Sequence, residues 1–151
     1  MAKLVAVFGR ILLALIFIAS GLDKFRNFDK DSGGPMAGVM APKLEHFMDI
    51  VSKRTNIEIP LHKEHYPYLI LSAAFLELVG GALFILDSPV GSVFLMAFLI
   101  GATPVMHNFW DIHDSSQIGE MIHFMKNLSI LGGLLAYTAT RRGVAGKYKE
   151  D

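Results

Sequence analysis

Glu77 makes the clearest chemical demand in this chain. It stands in the middle of residues 68–86, YLILSAAFLELVGGALFIL, where every other residue suits hydrocarbon. A carboxylate at mid-depth in a spanning helix costs about 2.5–3.5 kcal/mol on insertion scales, so it should face protein and find a cation. Two other apolar stretches carry one each, at Arg10 and Lys126. With about 1.5 Å of rise per residue, Arg10 lies roughly 9 Å, Glu77 roughly 14 Å and Lys126 roughly 20 Å from the membrane face on the side of the termini. Both basic side chains are long enough to snorkel toward a carboxylate between them. The expected arrangement is a charge group Arg10–Glu77–Lys126, with Asn127 as its hydrogen-bonding neighbour. Such a group either fixes helix register or forms a working site, and an ion pair alone does not tell which.

A second polar set gathers at the opposite end. His107 is expected at the depth of His123, and Glu120, His123 and Lys126 or Asn127 are spaced to share a helix face. Asp111 and Asp114 follow His107, which predicts a polar cluster at the mouth of a helix bundle. The spacing matches no zinc-ligand signature, and no metal is expected. His62 and His65 in a loop are a weaker pair still. The methionines are scattered and read as lipid-facing or core filling. Gly80 and Gly81, beside Ala73, Ala74 and Ala82, are read as a close-packing face between helices.

These residues need spanning helices to hold them. The chain is 52% hydrophobic and 19% charged, with the apolar residues in blocks, which indicates a membrane protein. Four spans are predicted, at 4–22, 68–86, 90–110 and 121–139. The first is too long for a signal-peptide core, and Lys24 follows it rather than a small-residue cleavage site, so it reads as a mature helix. Leu44, Phe47, Met48 and Val51 repeat at helical spacing, and Pro42 suits a first turn, so an amphipathic helix is expected over 42–54. Pro104 predicts a kink in the third span. Asp87-Ser88-Pro89 is short enough to make spans two and three an antiparallel hairpin. The predicted fold is all-α: an integral membrane four-helix bundle, residues 1–151 forming one domain, with a long first loop that contains the amphipathic helix.

The composition also excludes. Net charge is zero, which gives no electrostatic case for nucleic acid. With no cysteine, disulfides, thiolate metal sites and thiol catalysis are absent. No catalytic set and no cofactor motif stand out. The tail 140–151 ends with lysines at 147 and 149, a spacing that resembles the dilysine retrieval signal of endoplasmic reticulum membrane proteins. That reading puts both termini in the cytosol. The sequon at Asn127 falls inside the fourth span and is not expected to be glycosylated.

An early Arg followed by "SGLDKF" (20–25), "FLELVGGALFIL" (75–86) and "HFMKNLSILGGLLAY" (123–137) resembles the DoxX-like membrane proteins, and within them the plant HR-like lesion-inducing proteins. The resemblance implies four helices, a membrane location and an association with hypersensitive-type cell death. It transfers no catalytic residue. The leading expectation is a non-enzymatic protein of the secretory pathway that binds the bilayer and other membrane proteins, in the endoplasmic reticulum. The alternative is an accessory subunit of a larger quinone-linked redox complex that uses the Glu77 pocket, with the mitochondrial inner membrane as a second location. A proton-coupled transporter ranks last, since four helices are few for alternating access.

Overall fold

A computed structural model describes the backbone of residues 1–147 and the side chains through residue 141. Among these residues there are five α-helices and no strand: α1 (Ala2–Arg26), α2 (Pro35–Thr55), α3 (Tyr66–Ile85), α4 (Pro89–Met106) and α5 (Gln117–Lys147). Single 3-10 turns at Lys63–His65 and Phe109–Asp111 lead into α3 and out of α4.

Three stretches are long and apolar enough to cross a membrane: Ala2–Arg26, Lys63–Ile85 and Pro89–Asp111. The fourth expected span, within α5, is not among them, because His123, Lys126 and Asn127 interrupt its apolar run. Even so, α5 shares the core. Leu134 is fully buried together with Ala14 and Phe17 of α1, Phe84 of α3, and Leu95 and Leu99 of α4. Phe17 meets Phe98 edge-on at 6.1 Å between ring centres, and Phe84 meets Tyr137 at 4.8 Å.

The helices approach closely where side chains are absent. A Cβ on Gly91 would lie 2.3 Å from the backbone nitrogen of Phe84, so α3 and α4 meet main chain to main chain just past their turn. Gly80 faces Phe94 and Leu95 of α4, Gly81 faces Ile18 of α1, and Gly21 of α1 lies against Ala74, Glu77 and Leu78. The α3–α4 connection is as tight as its sequence requires. Asp87 turns the chain at φ 66°, Ser88 is extended, and Pro89 opens α4 with φ already set for a helix.

Two boundaries depart from expectation. α2 begins at Pro35, not at residue 42, because Gly33 and Gly34 take positive φ and deliver the chain to a proline at the first helical position. Pro42 then lies inside the helix, where its missing N–H costs one backbone bond. The inward face still follows the expected repeat: Leu44 is buried, and Phe47, Met48 and Val51 are half-buried. At the other boundary, Pro104 lies inside α4, which ends two residues later at Met106 rather than at residue 110. The Lys43 ammonium donates to the Met106 carbonyl at 2.7 Å, satisfying a group that the helix end leaves unpaired.

Candidate functional site

Glu77 is 1% exposed, and its cation is Lys24. The ammonium donates to both carboxylate oxygens, at 2.8 and 3.1 Å, and to the Ser20 hydroxyl at 2.6 Å. Its three protons are thus all used. The Phe98 ring lies 5.6 Å from the same nitrogen. The local sequence explains the geometry. Ser20 and Lys24 are one helical turn apart on α1, and Gly21 between them lets the Ala74 carbonyl and the Glu77 Cβ of α3 come close enough for a short, two-pronged contact.

The expected group Arg10–Glu77–Lys126 is therefore not formed. Arg10 binds Asp87 in the α3–α4 turn at 2.8 Å. Tyr137 donates to the same oxygen at 2.7 Å, and Arg141 reaches it at 2.9 Å. Lys126 is exposed and lies 3.3 Å from the His123 ring nitrogen. Depth counting misassigned the partner because it ended the first span at residue 22, whereas α1 continues in one helix to Arg26. The signal available in the sequence was the Ser-Gly-Leu-Asp-Lys run itself, with a small residue flanked by donor and acceptor on one face.

Glu77, Lys126, Asn127 and His107 nonetheless border one cavity of about 280 Å³, together with Ser20 and Lys24. Its walls are otherwise apolar, and Met36 and Met40 of α2 contribute to them. Asn127 donates to the Thr103 hydroxyl at 3.2 Å. At the mouth, the polar side chains gather on Glu120. Glu120 binds His107 at 2.6 Å and Lys43 at 2.6 Å. The His107 and His123 rings stack at 5.3 Å. Burial works against the Glu120 carboxylate, but its bonds to His107 and Lys43 prevail and hold its pKa below the usual range. Asp111 pairs with Arg54 of α2 at 3.6 Å, while Asp114 caps its own turn through Ser116. Among the described residues no group of three or more His, Cys, Asp or Glu side chains is placed to hold a metal ion. Lys149 and the Lys147 side chain lie outside the described residues.

Chemically, the Lys24–Glu77 pair is a closed unit, with every strong donor satisfied. The other polar groups of the cavity are Lys126, Asn127 and His107, each already in one side-chain contact, a set suited to hydrogen bonding a ligand rather than to attacking one. The sequence pattern of the HR-like lesion-inducing family matches residues 2–140. The chain belongs to this family. It is 28% identical over 140 residues to the inner membrane protein YphA of Escherichia coli (strain K12), with 89% of this chain and 81% of that protein covered. No solved structure matches. With three helices of spanning length and this relative, this HR-like lesion-inducing family member is an integral membrane protein. The family match takes in Ser20, Lys24, Glu77 and the whole cavity, and stops one residue short of Arg141.

Proposed function

We propose that this protein is a non-enzymatic, single-domain, four-span membrane protein that binds partner proteins in the secretory pathway and acts in plant defence or cell-death responses. The observation that carries the partner-binding part is the anchoring of α2. The segment between α1 and α3 is no loose loop. Lys43 ties α2 to the end of α4 and to Glu120, Arg54 ties it to Asp111, and Glu45 accepts from Tyr66 at the start of α3. The outer face of α2 then presents Glu45, His46, Asp49 and Lys53 as a fixed, charged, exposed surface. The family description supports the cell-death role, and the likeness to DoxX-like proteins supports the span count. A photo-crosslinker at Asp49 should capture a discrete protein in native membranes, while one at the exposed, apolar Leu12 should capture none. Identical adducts from both positions, or none from Asp49, would remove the proposal.

The cavity favours a second reading, that of an accessory subunit in a quinone-linked complex. Both Glu77 oxygens are engaged by Lys24, so a quinone would meet Lys126, Asn127 and His107 instead. Quinone retained on gentle purification and lost in Asn127→Leu would support it. A preparation free of quinone from a quinone-rich membrane would count against it.

A further inference from the structure

At the end of the bundle far from the cavity, a groove of about 510 Å³ runs between α1 and α5. Its head is basic. Arg10 and Arg141 share the single carboxylate of Asp87, both reaching its Oδ1, and Arg141 also donates to the Tyr137 hydroxyl at 2.9 Å. Among the described residues two cations thus face one anion. The Arg10 Nε is buried with no hydrogen-bond partner among the described residues, an expensive state for a donor on a charged group. The body of the groove is small and apolar. Ala6 and Gly9 form the α1 wall, Gly133 the α5 wall, and Leu13 lies about one turn nearer the bundle centre. A Cβ on Gly9 would touch nothing within 4 Å, so the space beside it is open.

We propose that this groove binds one anionic glycerophospholipid, its phosphate between Arg10 and Arg141 and the start of an acyl chain past Gly9 and along Leu13 and Gly133 toward the bundle centre. The charge excess selects an anion. Arginine is suited to phosphate through its planar fork of donors, and the Arg141 side chain, 39% exposed, is open to one. The apolar groove below the arginines distinguishes a lipid from free phosphate, which has no use for it. The site also lies at the level of the α3–α4 turn, where the hydrocarbon ends and headgroups begin.

The test uses the full chain in nanodiscs of phosphatidylcholine, with and without phosphatidylglycerol, and reads the melting temperature and the lipid retained on release into mild detergent. Phosphatidylglycerol should raise the melting temperature and remain bound one to a protein, and inorganic phosphate should do neither. Gly9→Leu fills the groove without touching a charge. It should melt like the parent in pure phosphatidylcholine and lose the phosphatidylglycerol-dependent rise. Arg10→Gln should retain the lipid about fivefold less tightly. An equal rise in Gly9→Leu and the parent, or a rise reproduced by inorganic phosphate, would overturn the proposal. So would tight phosphatidylcholine retention unaffected by either substitution.

Discussion

Lys24 is the residue on which the buried charge of this protein depends. Removing one partner of a buried ion pair leaves the other uncompensated and costs about 3–5 kcal/mol, whereas replacing both with apolar groups is often neutral. Lys24→Met should therefore strongly lower the melting temperature in detergent, and Lys24→Met with Glu77→Leu should recover most of the loss. Arg10→Gln should cost far less, about 1 kcal/mol, because Asp87 keeps Tyr137 and Arg141. If Arg10→Gln is the more damaging, the pairing is as the depth count had it and not as the structure has it. Asp87 also sets a pH dependence. The Tyr137 hydrogen bond, with Arg10 and Arg141 nearby, outweighs burial and holds its pKa below the ordinary carboxylate value. A carboxylate depressed in the folded state contributes stability above its unfolded pKa of about 4 and loses it as pH falls through the folded value. A melting-temperature series in acid should show this fall in the parent and a flatter curve in Asp87→Asn.

At the scale of elements, the close approach of α3 and α4 makes a sharp prediction. Gly91→Ala puts a methyl group against the Phe84 main chain, which cannot move aside as a side chain could. The expected cost is about 1–3 kcal/mol or more by melting temperature. Gly101→Ala on the same helix, with open space around it, should be nearly silent. Lys43 holds α2 to the bundle end through two contacts, so Lys43→Met should speed hydrogen exchange across α2 and the Phe109–Asp111 turn while leaving α1 and α3 unchanged. A uniform increase over all helices would instead mean a global loss of stability. The sequence made the apolar helices α1, α3 and α4 legible, because length and hydropathy are local properties. It also made the buried face of α2 legible, because Leu44, Phe47, Met48 and Val51 repeat at helical spacing. What it hid was the partner of Glu77. Which of several cations reaches a carboxylate depends on where two helices touch, and Gly21 against Ala74 decides that only once α1 and α3 are docked.

For the whole molecule, the open question is sidedness, and the absence of cysteine makes it accessible. Single cysteines at Ser115 and Thr140 flank the fourth expected span, so an impermeant maleimide should label them from opposite sides of a sealed membrane. Labelling from one side alone would reduce the chain to three spans. If the termini are cytosolic and the tail lysines act as a retrieval signal, Lys147→Ser with Lys149→Ser should move a tagged protein out of the endoplasmic reticulum. An unchanged distribution would remove that part of the proposal.

The two ion pairs between α1 and α3 also bear on how the protein is made. Arg10 and Lys24 both belong to the first helix to leave the ribosome, while Glu77 of α3 comes 53 residues after Lys24, and Asp87, in the turn that closes α3, comes 77 residues after Arg10. Until then the first helix carries two cations in an apolar stretch with neither carboxylate available, and it is a poor candidate to enter lipid alone. Glu77 arrives before Asp87, so the inner pair can form first and draw the two helices into register before the outer one closes. Biogenesis should therefore proceed by delayed, paired release of α1 with α3 into the bilayer, and a nascent chain stopped short of residue 77 should remain extractable by alkali where one reaching past residue 90 does not.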